Sequence, residues 1–599
     1  MSEVKQIIAK VTDRIRSRSS ETRSAYIERC NKNFDQSIRR AHLSCGNLAH
    51  GFAACGATDK EFLSAGEEPN LGIITAYNDM LSAHKTYEDY PKRIRTYANE
   101  FSSTAQVAGA TPAMCDGVTQ GQPGMDLSLL SRDIIALSTA IGLSHDMFDG
   151  VINLGICDKI VPGLLIGNLS FGHLPSVFMP GGPMTSGISN SEKAKIRQDF
   201  AEGKIGREEL LKGESDSYHS PGTCTFYGTA NSNQMLMEIM GLQLPGSSFV
   251  NPGTPMREAL DREAVKVLVK NIRTKEINRS VGFILDEKVI VNGVVGLLAT
   301  GGSTNHTLHL VAIARAAGIK LTWDDFSDLA EEIPLITRIY PNGLADVNQF
   351  HASGGMSYVI HTLRENGMLH DDVNTILGPG LRKYTMEPKL INGNVVYKSG
   401  PDQSLNTKII RPVNEPFDPK GGLKVLKGNL GIAVVKTSAV EQENRRVEAE
   451  AIVFADQGEL IQRFKDGELD RDFIAVLPFQ GPKQKGMPEL HKLTPTLTVL
   501  QKRGYRVGLV TDGRMSGASG KVPAAIHVSP EACDGGAIGK IQDGDVIQLD
   551  AEKGVLECVE NIENRPSREV IANEESHGRD LFQNLRNIVG KSEDGAGIL

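Results

Sequence analysis

Short apolar runs alternate with longer amphipathic stretches from about residue 71 onward. The runs at residues 71–75, 151–156 and 177–179 predict buried strands. Between them, residues 128–143 carry Leu129, Leu130, Ile134, Ile135, Leu137 and Ile141 near helical spacing, with Asp126 or Ser128 placed to cap the N-terminus. Strands alternating with helices predict a mostly parallel sheet covered on both faces. Residues 1 to about 65 are polar, rich in Arg and Lys, and helical in pattern.

The pattern changes between about residues 391 and 430, where Gly, Pro and polar residues dominate. That stretch predicts a domain boundary. Beyond it the apolar runs are short and β-like, at residues 431–435, 451–454, 473–477, 507–510 and 546–549, and Gly544-Asp545 is a hairpin-type signal. The expected fold class is α/β. A large N-terminal domain (1–400) carries the mostly parallel sheet, and a smaller β-rich, barrel-like, swivelling domain follows (401–599).

Length and charge narrow the picture. A chain of 599 residues is too long for one core. A formal net charge of −8 argues against non-specific nucleic-acid binding. No apolar run approaches the roughly 20 residues that span a bilayer, and the N-terminus lacks a signal peptide's apolar centre. A cytoplasmic protein is expected, with no membrane partner. Eight cysteines are too few for a disulfide framework. Cys30, Cys45, Cys55, Cys533 and Cys558 read as structural thiols.

The candidate chemistry starts at Cys157-Asp158-Lys159, at the end of the run 151–156. A thiol, a carboxylate and an amine together make a poor core. In open α/β sheets, ligands bind at the carboxyl ends of strands. Further cysteines stand in Met114-Cys115-Asp116-Gly117 and Gly222-Thr223-Cys224. Thiolates suit iron–sulfur clusters and soft metals, and carboxylates suit Mg²⁺ or Mn²⁺. Each motif also has a plainer reading. Asp116-Gly117 has the composition of an ordinary turn. Gly301-Gly302-Ser303-Thr304-Asn305 is either an anion site at a helix entry or a simple cap. Gly181-Gly182-Pro183-Met184 suits a ligand or a tight turn. The run C-x₂-C-x₂-C is absent, so a cluster would be built from distant cysteines. Ser516, between Met515 and Gly517, is not a G-x-S-x-G elbow. His306 and His309 lie nearest the candidate site, where a structural role is the ordinary one for a helical histidine.

Taken together and in order, these segments resemble the dihydroxy-acid dehydratase / phosphogluconate dehydratase family. The likeness also includes Ser131-Arg132-Asp133, Gly155 through Gly163, Gly486-Met487-Pro488-Glu489 and Thr511 through Gly517, and it spans nearly the whole chain. Ala113 through Met125 resembles the 6-phosphogluconate branch. Ala76-Tyr77-Asn78-Asp79 lacks the cysteine that the amino-acid branch carries near its first strand. The resemblance implies a [4Fe–4S] cluster on Cys157 and Cys224, with one iron not held by cysteine. Cys115 is a third ligand by inference from its position, not from the family pattern. It also implies Mg²⁺ or Mn²⁺ on Asp116, Asp158 and Glu489, beside Lys159, which is carbamylated in related enzymes.

The activity so implied is dehydration of 6-phospho-D-gluconate to 2-dehydro-3-deoxy-6-phospho-D-gluconate, a step of Entner–Doudoroff gluconate utilisation. A homodimer is expected on general grounds, as the common state of large two-domain metabolic enzymes. Lewis acids would stabilise the developing enediolate and the leaving hydroxide. Ser516, as an alkoxide, would take the C2 proton. Ser303, Thr304, Asn305, Lys483, Lys485 and Arg514 are candidates for binding the substrate and its phosphate. The rival readings are dehydration of another sugar acid or of branched-chain 2,3-dihydroxy acids, and a non-enzymatic iron–sulfur sensor.

Overall fold

The computed structural model describes residues 4–35, 37–517, 520–569 and 578–599. Four strands, β1 (Asn70–Thr75), β2 (Thr104–Ala110), β3 (Gly150–Leu154) and β4 (Ser176–Phe178), form an all-parallel sheet in the order β2-β1-β3-β4. Every residue of β1 and β3 is buried. Near-continuous apolar strands of this kind are typical of a parallel sheet sandwiched by helices. Apart from this small sheet, helices make up most of the first 380 residues. The N-terminal helix Gln6–Asn33 is polar outside, but Ile8, Val11, Ile15, Ser19, Tyr26 and Cys30 form a buried stripe at steps of three, four or seven residues.

The helix expected over residues 128–143 runs Ser131–Leu143, after a 3₁₀ turn at Pro123–Leu127. Neither expected cap is used. Asp126 pairs with Arg579 at 2.8 Å, and the Ser128 hydroxyl donates to Asp116. Both side chains are committed to distant partners, so the helix starts later. Behind this helix lies Ile160–Leu169, every residue of which is buried. Full burial of its Ile and Leu side chains stabilises by roughly 1.5–3 kcal/mol each. A Cβ at Gly163 would lie 2.5 Å from the Arg132 carbonyl, so Gly163→Ala would push the two helices apart. The N-terminal end of Ile160–Leu169 carries Lys159.

Two small hairpins, β5 (Asn374–Thr375) with β6 (Gly378–Pro379) and β7 (Met386–Ile391) with β8 (Asn394–Ser399), precede the second sheet. That sheet is a closed barrel. Its strands are β9 (Leu423–Gly428), β10 (Gly431–Lys436), β11 (Arg446–Val453), β12 (Phe473–Leu477), β13 (Val507–Thr511), β14 (Ala524–Ser529), β15 (Val546–Asp550) and β16 (Val555–Cys558). They close in the order β10-β14-β13-β12-β11-β15-β16-β9. Strands β11 to β14 pair in parallel, and most of the remaining pairs are antiparallel. The loops that follow β12 and β13 therefore emerge at one end of the barrel. Gly544-Asp545 is a turn leading into β15. The hairpin proper is β15–β16, closed by residues 551–554. Among the described residues no helix is long and apolar enough to cross a membrane.

Candidate active site

Two strand-end segments and two barrel loops converge on one buried cluster of charge. Asp158 and Lys159 follow β3 and lead into Ile160–Leu169. Cys157 has φ +70°, the left-handed region that costs a non-glycine residue about 1–2 kcal/mol. The Asn233 amide donates to the carbonyls of Cys157 and Asp158 at 2.9 and 2.8 Å, which holds this turn. Asp116 opens the short helix Asp116–Thr119 beyond β2. From the barrel, Glu489 follows β12 and Arg514 follows β13. Their backbones form a parallel bridge, with Leu490 N–H donating to the Arg514 carbonyl at 2.9 Å. Asp512 fastens these loops by accepting from the N–H groups of Phe479, Gln480 and Ala532.

Oxygens of Asp116, Asp158 and Glu489 lie within 4.8 Å of one another. Two cations stand among them. Lys159 Nζ donates to Asp158 at 2.8 Å and to Asp116. Arg514, 1% exposed, reaches Glu489 at 2.8 Å, Asp116 at 3.1 Å and Asp158 at 3.2 Å. Its Nε donates to the Met487 carbonyl at 2.8 Å, from a residue that also has positive φ. The Asn305 amide donates to Asp158 at 3.5 Å and Glu489 at 3.4 Å, and His309 Nε2 lies 3.3 Å from Asp158.

The electrostatics follow from these neighbours. Burial alone would raise Asp158, but Lys159, His309 and Arg514 hold it well below the usual carboxylate range. Glu489 is pushed up to about 8, first by burial and then by the Asp116 charge. Burial opposes the Lys159 ammonium, yet Asp116 and Asp158 raise it above its ordinary value. Burial takes His309 down to about 4, so it faces Asp158 as a neutral ring.

The three thiols gather beside this cluster. The Cys115 and Cys157 thiols act on each other, which lowers the first and raises the second. Burial pushes Cys224 up to about 12, with Cys115 as the next cause. A bridge between Pro183 and Thr223, with Thr223 N–H donating to Gly182 at 3.0 Å, places the Cys224 loop. The Gly181-Gly182 turn thus serves backbone packing here, because a Cβ at Gly182 would meet the Val250 carbonyl at 2.1 Å.

Ser516 lies in the loop after Arg514. A Cβ on the next residue, Gly517, would lie 2.7 Å from Ser303 Oγ and 2.8 Å from Thr229 N. Glycine there lets the Ser516 loop press against the Ser303–Asn305 loop. Ser303 Oγ and Thr229 Oγ1 are 2.7 Å apart, and both are buried.

The sequence candidates therefore divide. Asp116, Cys115, Cys157, Asp158, Lys159, Cys224, Asn305, Glu489 and Arg514 come together, with Ser303, Thr304 and Ser516 on one side. Arg514, expected near a phosphate, is engaged by the three carboxylates. Lys483 lies outside the cluster, 39% exposed and paired with Asp534. Lys485, on the same short helix Pro482–Lys485, lies near Asp126, whose carboxyl feels its charge. Sequence reasoning missed Asn233, Thr229 and Lys436. Lys436 carries the one signal that could have been read, a lysine closing the apolar run 431–435, as Lys159 follows the run 151–156.

Comparison with known proteins gives two family matches. The description "Dihydroxy-acid/6-phosphogluconate dehydratase N-terminal" fits residues 68–384, and "Dihydroxy-acid/6-phosphogluconate dehydratase C-terminal" fits residues 408–596. The chain is 57% identical to a phosphogluconate dehydratase of Rhizobium meliloti over 598 residues, covering 99% of both chains. It is 56% identical to a phosphogluconate dehydratase of Pseudomonas aeruginosa, with 98% of each covered. A dihydroxy-acid dehydratase of Ignicoccus hospitalis is 34% identical over 86% of this chain and 91% of its own length.

Proposed function

Because the chain belongs to the dihydroxy-acid/6-phosphogluconate dehydratase family and is a hydro-lyase, we propose that it dehydrates 6-phospho-D-gluconate to 2-dehydro-3-deoxy-6-phospho-D-gluconate. The observation that carries this reading is the convergence, from separate loops, of three buried carboxylates and three thiols beside the end of β3. The drop from 57% identity with a phosphogluconate dehydratase to 34% with a dihydroxy-acid dehydratase favours the sugar-acid substrate.

The donors fit the cofactors of this reading. Oxygen-only carboxylate donors suit a hard divalent ion such as Mg²⁺ or Mn²⁺. The upward shift of Glu489, caused in part by its crowding with Asp116, is a repulsion that such an ion relieves. Asp116, Asp158 and Glu489 would hold the ion, with Lys159 beside it as a cation bonded to Asp116 and Asp158. Cys115, Cys157 and Cys224 would hold the [4Fe–4S] cluster. When bound, these groups supply Lewis acidity toward the C2 oxygen, the carboxylate and the C3 hydroxyl.

The chain's own residues do the rest. Asn305 and the Arg514 fork orient the carboxylates. The fixed loop of Gly517 aims Ser516, which takes the C2 proton as an alkoxide. The electron pair of the C2–H bond forms the C2–C3 double bond as the C3–O bond breaks. The enol released then tautomerises to the 2-keto acid. Burial of the whole cluster keeps these charges in a low dielectric, where they act most strongly. The cytoplasm and a homodimeric state belong to the same reading, supported on the first point by eight free cysteines.

The test is an anaerobic assay of iron-loaded, Mg²⁺-supplemented protein with 6-phosphogluconate, following 2-keto acid formation. Turnover that is lost on exposure to air is expected. No turnover from protein whose absorbance shows an intact cluster would move the substrate to another sugar acid.

A further inference from the structure

The barrel buries one lysine that the scheme above leaves unused. Lys436 closes β10 and is 6% exposed. Its only polar contact among the described residues is to the Gly517 carbonyl, at 3.5 Å. No carboxylate of the described residues lies within 4.0 Å of its Nζ, which is rare for a buried lysine. Lys436 and Ser516 line the same cavity, of about 20 Å³. A cavity of that size admits about one water. Thr304 and Thr494 contribute hydroxyls to its wall, and the rest, including Leu497, Leu509 and Ile526, is mostly apolar.

We propose that Lys436 is the proton acceptor that charges Ser516, a Ser–Lys relay spanning one water and set at the barrel end. This rests on the reading of Ser516 as the base. A serine hydroxyl is far too weak a base alone, and an adjacent unprotonated amine is one way to activate it.

The surroundings suit the role. Burial without a counter-charge brings the Lys436 ammonium down to about 7, so the free amine is available near neutrality. The titratable group that faces it is His306, which burial takes down to about 3 and keeps neutral. The cavity walls from β13, β14 and the helix Leu493–Lys502 present no charge to it.

The proton count closes. The Nζ lone pair receives the Ser516 proton through the bridging water, leaving an alkoxide and an ammonium. The alkoxide takes the proton from C2, and the C3–O bond breaks with its electron pair leaving on oxygen. The proton stored on Nζ returns along the same path and completes the water released. Both side chains end as they began.

The experiment compares holoenzyme carrying Lys436→Met, Lys436→Arg, Lys436→Ala and Ser516→Ala with wild type across pH. Removing an unpaired buried charge should leave folding intact in Lys436→Met, which circular dichroism and cluster absorbance would check. For Met and Arg, kcat is expected to fall about 10²-fold or more with KM nearly unchanged. The acid limb of the wild-type pH profile should vanish in Lys436→Met. Propylamine should restore part of the activity of Lys436→Ala. A Lys436→Arg variant with wild-type kcat would overturn the proposal, since a permanent cation would then suffice. A raised KM with kcat preserved in Lys436→Met would also overturn it, making the lysine a phosphate anchor. Wild-type turnover by Ser516→Ala would instead overturn the reading of Ser516. Loss in Ser516→Ala with full activity in Lys436→Met would overturn only the relay.

Discussion

Lys159 and Lys436 are the same residue in two electrostatic settings. Each ends or follows a buried strand, one in the parallel sheet and one in the barrel, and each is nearly inaccessible to solvent. Burial opposes the charge of both. At Lys159 two carboxylates outweigh that penalty and the amine is held as a cation. At Lys436 nothing offsets it and the amine titrates near neutrality. Burial alone does not set the protonation of an amine; the paired charge does.

The comparison can be broken most severely at Lys159. In Lys159→Met, Arg514 is left as the only cation among the described residues bonded directly to the three carboxylates. Breaking one partner of a buried ion network costs about 3–5 kcal/mol. We expect lowered thermal stability, loss of bound divalent ion by elemental analysis, and turnover down by about 10³-fold or more. Retained metal and retained turnover would mean that Lys159 is only a counter-ion.

Lys436→Met should do the opposite to stability. The folded-state value near 7 lies below the ordinary 10.5. The unfolded chain therefore binds more protons between these limits, and wild-type stability rises with pH through that window. The variant's advantage should be largest and constant below about pH 7, up to roughly 5 kcal/mol, and should shrink toward pH 10.5. Melting curves of both proteins at pH 6, 8 and 10 would measure it; a pH-independent difference would mean that Lys436 is not the titrating group.

Lys485, half-buried near Asp126, supplies a third setting. Lys485→Ala should raise KM for 6-phosphogluconate about 5- to 10-fold and change kcat less than about 2-fold. An unchanged KM would remove it from the phosphate site.

Much of the architecture is legible in the sequence, for a physical reason. Strands β1, β3, β12 and β13 are buried at every position and so read as mostly apolar runs, interrupted only by buried polar residues such as Asn153. By contrast β2 is an Ala- and Gly-rich edge strand with a mixed burial pattern, and β14 and β16 are short or polar-interrupted. Their assignment comes from pairing partners far along the chain. The same limit applies to the site. Cys157-Asp158-Lys159 stands out because three polar groups follow a buried strand. The role of Arg514 is hidden, because its partners lie 25 to 398 residues away. A cation in a loop looks alike whether it meets a phosphate or a carboxylate. The unused caps at Asp126 and Ser128 fail for this reason too, since local propensity was outbid by tertiary bonds.

The Arg514 fork has a consequence for recombining such proteins. It joins Glu489 from its own half to Asp116 and Asp158 from the other, where two carboxylates otherwise face the single ammonium of Lys159. A chimera that exchanges the barrel between relatives must transplant the arginine and the glutamate together, in register with the recipient's two aspartates. Crossovers between residues 489 and 514 should yield misfit hybrids, whereas those near residues 400–420 leave the fork whole. The fork thus marks, at single-residue resolution, where this chain can be cut and rejoined.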